Sequence, residues 1–214
     1  MTAHYPFALP PLPYARDALD PHLDARTVSI HHDRHFATYI DRLNRLLAPY
    51  EAYHSWPLPK LLLCWEELPD AIRQGVCRNA GGVYNHDLYF ATLTPAPSHV
   101  AAPALEEALI RDFGSMEDFR AALRAAALDV FGSGYAWLCV DGRGRLSVVK
   151  TANQDTPLPL YPLLCSDLWE HAYYLRYQYR KGEYFDNWYA LVNWQAVAER
   201  LARGLGQADV APGP

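Results

Sequence analysis

The sequence predicts an α+β protein: a helical first half, then a second half in which helices flank a small three-stranded antiparallel sheet. Three observations predict this. Apolar residues recur at helical spacing through RTVSIHHDRHFATYIDRLNRLL and again through PDAIRQGVCRNAGGVYNHDLYFATL. The run TPAPSHVAAP, residues 94–103, is rich in Pro and Ala and reads as a linker. Beyond residue 130 the period changes to short β-type runs on either side of a DGRG turn. The chain is therefore expected to form an N-terminal α-helical hairpin domain, residues 1–94, and a C-terminal α+β domain, residues 95–214.

The elements follow in order. LPPLPY makes an extended lead-in, because proline fixes φ and removes a backbone donor. The first helix begins near Asp24 and carries Val28, Ile30, Phe36, Tyr39, Ile40, Leu43 and Leu46 at helical spacing. APYEAYHSWPLP interrupts it. The second helix contains Gly81 and Gly82, a pair that marks close backbone packing or a bend. ALEEALIRDF and SMEDFRAALRAAALDVF are expected to be helices. In the latter, Ser115 with Asp118 forms a start signal, and Phe119, Leu123, Ala127 and Val130 form an apolar stripe. GYAWLCV and RLSVVK form a hairpin, and LYPLLCSD supplies a third strand. HAYYLRYQYR and NWYALVNWQAVAERLARGL read as helices, and QADVAPGP as a disordered tail.

Composition narrows the function. A formal net charge of -5 argues against a general nucleic-acid binder. MTAHYPFALPPLPY lacks the basic and apolar regions of a signal peptide, and no apolar run approaches the ~20 residues of a membrane span. Cys64, Cys77, Cys139 and Cys165 are scattered without a CxxC pair, so reduced thiols in a cytoplasmic protein are expected. Neither a nucleic-acid nor a membrane partner is anticipated.

CSDLWEHAYYL, residues 165–175, sets Asp167, Glu170 and His171 among Trp, Leu and Tyr. Charges in apolar company are costly unless paired. A spacing of four can bring Asp167 and His171 to one side of a helical turn. A lone histidine in an apolar helix is usually a hydrogen-bonded core residue. Asp-x-x-x-His within an apolar run points further, since burying Asp167 needs a cation, and a metal ion is an obvious one. His31 in the first helix and His86 in the second add imidazoles of the kind that bind metals.

DLWEHAYYL, preceded by TANQDTPL and GSGYAWL, resembles the iron/manganese superoxide dismutase family. LPYARDALDPHLDARTVSIHHDRHFATY, RNAGGVYNHDLYF and VNW add to the likeness, in the right order and across nearly the whole chain. The resemblance implies one manganese or iron ion per subunit, held by His31, His86, Asp167 and His171, with a solvent molecule as fifth ligand. An N,O donor set suits such a redox metal. It implies that Glu170 reaches the His171 of a second subunit, with Tyr174 beside it, in a homodimer or a tetramer. Tyr39 resembles the gateway tyrosine, with His35 one turn before it. Gln154 resembles the glutamine that bonds the solvent ligand. Its place in the second half of the chain is the manganese-type arrangement, so manganese is favoured, with iron or either metal as alternatives. Trp137 and Trp169 resemble the aromatic wall. Lys181, with Arg180 before it, stands where the family carries an entrance arginine.

Several positions depart from the family pattern. Val83 and Phe36 replace histidines, Tyr135 and Phe90 replace tryptophans, and Lys181 replaces an arginine. No ligand is lost. The implied reaction is disproportionation of superoxide to dioxygen and hydrogen peroxide by alternating M(III) and M(II). Two rivals compete: a metal-binding or structural member that has lost catalysis, and a non-haem iron oxygenase, whose facial triad needs fewer protein ligands.

Overall fold

Asp24 starts the first helix, accepting a hydrogen bond from the Thr27 amide at 2.9 Å. In the computed structural model, which describes residues 4–97 and 102–208, α1 covers Ala25–Ile30 and α2 covers Ala37–Leu47. Between them His31–Phe36 winds as a π-helical turn, a wider coil of the kind often found at functional sites. The α2 residues Ile40, Leu43 and Leu47 are buried, and α2 packs on α4, Asp70–Ala91. The intervening stretch holds a short helix, α3, Leu58–Leu63.

Helix α4 carries the hairpin over to the rest of the molecule, because it also packs on strand β3. Its exit is pinned where the Thr94 amide donates to the Leu191 carbonyl and the Asn193 amide to the Thr92 carbonyl, each at 2.9 Å. Residues 98–101 of the expected linker lie outside the described residues. Helix α5, Pro103–Phe113, has proline at a position where the missing N–H costs nothing. Helix α6, Met116–Leu128, is capped by Ser115, which accepts from the Asp118 amide.

The sheet is antiparallel in the order β2-β1-β3, with β1 Gly134–Val140, β2 Leu146–Ala152 and β3 Tyr161–Asp167. Every residue of β1 is buried. Helix α6 packs on β1 and β2, and α9, Trp194–Ala208, on β3. The register sets Tyr135 opposite Asp167, so the two share a face at the sheet's end. The fold is therefore the α+β arrangement expected.

The C-terminal helices differ in detail from expectation. HAYYLRYQYR contains only a 3₁₀ turn, Glu170–Ala172, and one helical turn, α7, Tyr174–Tyr177, ended by Gln178 at a φ of 48°. NWYALVNW is split between α8, Lys181–Tyr189, and α9, Trp194–Ala208. The break falls where Val192 bridges to Leu93, so a tertiary contact overrides local helical spacing. Helix α9 also takes in Gln207 and Ala208, expected to be disordered; the remainder of that tail lies outside the described residues. Among the described residues no helix is long and apolar enough to cross a membrane.

Candidate metal centre

Four elements deliver four donors to one point. The π-helical turn supplies His31, α4 supplies His86, the end of β3 supplies Asp167, and the 3₁₀ turn that follows supplies His171. One ligand atom from each lies within 4.8 Å of all the others. Three imidazole Nε2 atoms surround Asp167 Oδ2, at 3.1 Å for His31, 3.5 Å for His171 and 4.0 Å for His86. Asp167 and His171 meet, but a strand followed by a 3₁₀ turn joins them, not the helical turn that their spacing allows.

The electrostatics are those of an anionic site in a dry interior. The side chains of Asp167 and His86 are wholly buried, and that of His31 nearly so. Burial lowers the His31 pKa to about 4 and holds that of His86 well below the usual imidazole range. Burial alone would raise the Asp167 carboxyl. The facing His171 and His31 outweigh it and hold the group below the carboxylate range, and the Trp169 amide donates to its Oδ1 at 2.9 Å. The result is a buried carboxylate facing His31 and His86, two imidazoles that burial holds against protonation, and a cation would balance it.

The donor set fits a metal ion. His86 Nδ1 stands 2.7 Å from the Gly82 carbonyl. As an N–H donor there it fixes the tautomer and leaves the Nε2 lone pair facing inward. The Nε2 atoms of His86 and His171 are buried without a hydrogen-bond partner. Bonds of about 2.0–2.2 Å to one ion would set neighbouring donors roughly 3–4 Å apart, close to the spacing found. The cluster could hold one metal ion.

A second group of residues closes the site on its solvent side. Gln154 is 6 % exposed, and its amide is held at both ends. Its Oε1 accepts from the Tyr135 hydroxyl at 3.0 Å and from Asn85 Nδ2 at 3.1 Å, while its Nε2 donates to the Tyr39 hydroxyl at 3.0 Å. The Tyr39 ring lies 5.2 Å from His86. His35 stacks on His171 at 4.1 Å and Trp169 stacks on it at 5.5 Å. Trp137 sits one layer back: its indole donates to Thr151 Oγ1, and it meets the ring of Tyr135. Glu170 and Tyr174 are exposed, and Glu170 makes no side-chain hydrogen bond or ion pair among the described residues. Arg180 binds Glu183, and the Lys181 ammonium donates to the Val130 carbonyl at 3.0 Å. Within the single chain neither of these two joins the cluster.

Sequence reasoning missed two contributors: Asn85 grips Gln154, and Tyr184 donates from its hydroxyl to the Asp167 carbonyl at 2.8 Å. Tyr135 and Phe90 were legible only as replaced tryptophans; Phe90 packs on His31, and the position of Tyr135 opposite Asp167 gives its hydroxyl the reach to hold Gln154.

Fold and cluster together define a protein built around one buried site of mixed nitrogen and oxygen donors. Two family models cover the chain: that of the iron/manganese superoxide dismutase alpha-hairpin domain over residues 6–94, and that of the corresponding C-terminal domain over residues 101–200. The chain is 44% identical over 202 residues to the manganese superoxide dismutase of Pseudomonas aeruginosa, covering 94% of this chain and 99% of that one. It is 42% identical over 202 residues to manganese superoxide dismutase 1 of Leptolyngbya boryana, covering 92% and 82%. Against the Mn/Fe superoxide dismutase of Methylomonas the figure is 42% over 201 residues, covering 93% and 99%. The chain belongs to the iron/manganese superoxide dismutase family.

Proposed function

We propose that the protein is a superoxide dismutase whose metal ion, manganese in preference to iron, is held by His31, His86, Asp167 and His171. The observation that carries this reading is the convergence of three Nε2 atoms on one buried carboxylate oxygen, two of those nitrogens lacking any other partner. The chemistry such an ion supplies when bound is one-electron exchange between M(III) and M(II), which balances oxidation of one superoxide to dioxygen against reduction of a second, with two protons, to hydrogen peroxide. Tyr39 keeps its proton at neutral pH, since burial raises its pKa. Its oxygen already accepts from Gln154 Nε2, so its own O–H is free to point elsewhere and can pass a proton on. Gln154 is locked in one orientation, and its second Nε2 hydrogen is free to bond a small ligand. His35 and Trp169 stack over His171 and limit entry to small molecules; Trp137 supports this wall from behind.

The same reading makes the protein a cytoplasmic homodimer. Tyr174, Leu175 and Tyr179, in the segment that follows the exposed Glu170, are exposed at 48%, 51% and 84%. A second copy would cover this apolar face, with Glu170 and Tyr174 crossing to the partner's His171. Sedimentation at twice the chain mass is expected; a monomer at micromolar concentration would remove the cross-subunit role.

The activity test is elemental analysis, followed by superoxide dismutation after separate loading with manganese and with iron. Activity in at least one form is expected, and inactivity in both would refute the dismutase reading. Gln154→Ala is expected to keep its metal and lose about 10²-fold or more in turnover, the scale of a lost oriented donor. Full activity in that variant would end its proposed role.

A further inference from the structure

A cleft of about 690 Å³ opens over Tyr39 and Gln154, and its rim carries Arg42 and Arg78. Both arginines are exposed, and neither side chain makes a hydrogen bond or ion pair among the described residues. Arg26, Arg34 and Arg143 are also exposed without such a partner, but none of them lines the cleft. Asp41, the carboxylate next to Arg42, binds Arg45 instead. Arg16, Arg73, Arg111, Arg120, Arg124 and Arg145 each face a carboxylate. Lys181 and Arg180, the expected entrance cations, have their polar heads engaged by Val130 and Glu183, and neither lines the cleft. Asp155 is the one carboxylate among the lining residues, so two positive charges and one negative leave the cleft at +1 on a chain whose formal charge is -5.

We propose that Arg42 and Arg78 are the cations that draw the small anionic substrate through this cleft to Tyr39 and Gln154. The inference rests on the dismutase reading above. Unpaired guanidinium groups at the mouth of a concave site focus an attractive field where the whole-molecule charge repels an anion. Because the groups act through space on an approaching ion, salt screens their effect, and the chemical step is left alone.

The test compares two double variants that change net charge equally. R42Q/R78Q removes the cleft pair; R26Q/R143Q removes two other exposed, unpaired arginines that do not line the cleft. Each protein is loaded to the same measured metal content, and the second-order rate constant for superoxide loss is followed from ~10 mM to ~500 mM ionic strength. For R42Q/R78Q the expected result is a fall of about fivefold at low salt that closes to within about twofold at high salt, with saturated turnover unchanged. R26Q/R143Q should stay within about twofold of the parent throughout. Equal falls in both pairs, or a fall in R42Q/R78Q that salt does not change, would overturn the proposal. A parent that consumes superoxide while R42Q/R78Q matches it in rate and salt slope defeats the guidance role alone; a parent inactive with either metal defeats the dismutase reading. A second readout needs no activity. Trp169 lines the cleft, so quenching of tryptophan emission by iodide, relative to neutral acrylamide, should weaken in R42Q/R78Q and not in R26Q/R143Q; unchanged iodide quenching would count against a positive cleft.

Discussion

Asp167→Asn is expected to give a folded protein that no longer retains metal through dialysis. The amide has almost the volume of the carboxylate and can still accept from the Trp169 amide, so the end of β3 keeps its anchor. What disappears is the one carboxylate among the four donors. At an effective dielectric of 20 a single pair of unit charges 4 Å apart is worth about 4 kcal/mol. Affinity should therefore fall at least about 10³-fold. Elemental analysis and the unfolding transition check the result together: metal below about a tenth of stoichiometric, with a transition still cooperative. A variant that keeps one equivalent of metal would remove Asp167 from the ligand set.

Gly81→Ala is expected to damage the site from beneath, without touching a ligand. A Cβ at Gly81 would stand 2.0 Å from the Gln154 carbonyl oxygen, and one at Gly82 would stand 2.4 Å from the Tyr39 ring. The first obstacle is backbone, which no rotamer change relieves. Either α4 or the turn carrying Gln154 must move, and overpacking of this kind costs about 1–3 kcal/mol. Melting should fall by roughly 3–10 °C in a chain of this size. Moving the turn also drags the Gln154 amide away from Asn85, Tyr135 and Tyr39, so turnover should drop even in molecules that still hold metal. An alanine variant with the melting point and turnover of the parent would show that the turn has room to give.

How much of this is legible in the sequence depends on the range of the interaction that decides it. The first helix, the α6 cap and the three strands follow from period and capping within a few residues, and they stand where expected. The four donors are separated by up to 140 positions, between His31 and His171. No local spacing brings those two together; only the ordered set of motifs nominated all four. Where two elements touch, local reading failed: the Val192 bridge to Leu93 splits an otherwise helical run, and Gln178 in the left-handed region cuts short another. Asn85 and the Tyr135 hydroxyl look like ordinary core residues until the Gln154 turn is folded onto them. The π-helical turn left no trace either, since the same side chains suit an α-helix.

That turn makes the first helix an indexing device. An α-helix advances about 100° per residue, so a single residue inserted or deleted upstream rotates everything before it by more than a quarter turn relative to everything after. His31 enters the wider coil just as Tyr39, downstream of it, faces His86. The two sides of the coil are thus set to different angular zeros, one for the metal-facing imidazole and one for the gate. A graft of this helix onto another scaffold would have to transplant the phase step along with the side chains, because a straight helix carrying the identical residues would aim His31 and Tyr39 at different neighbours.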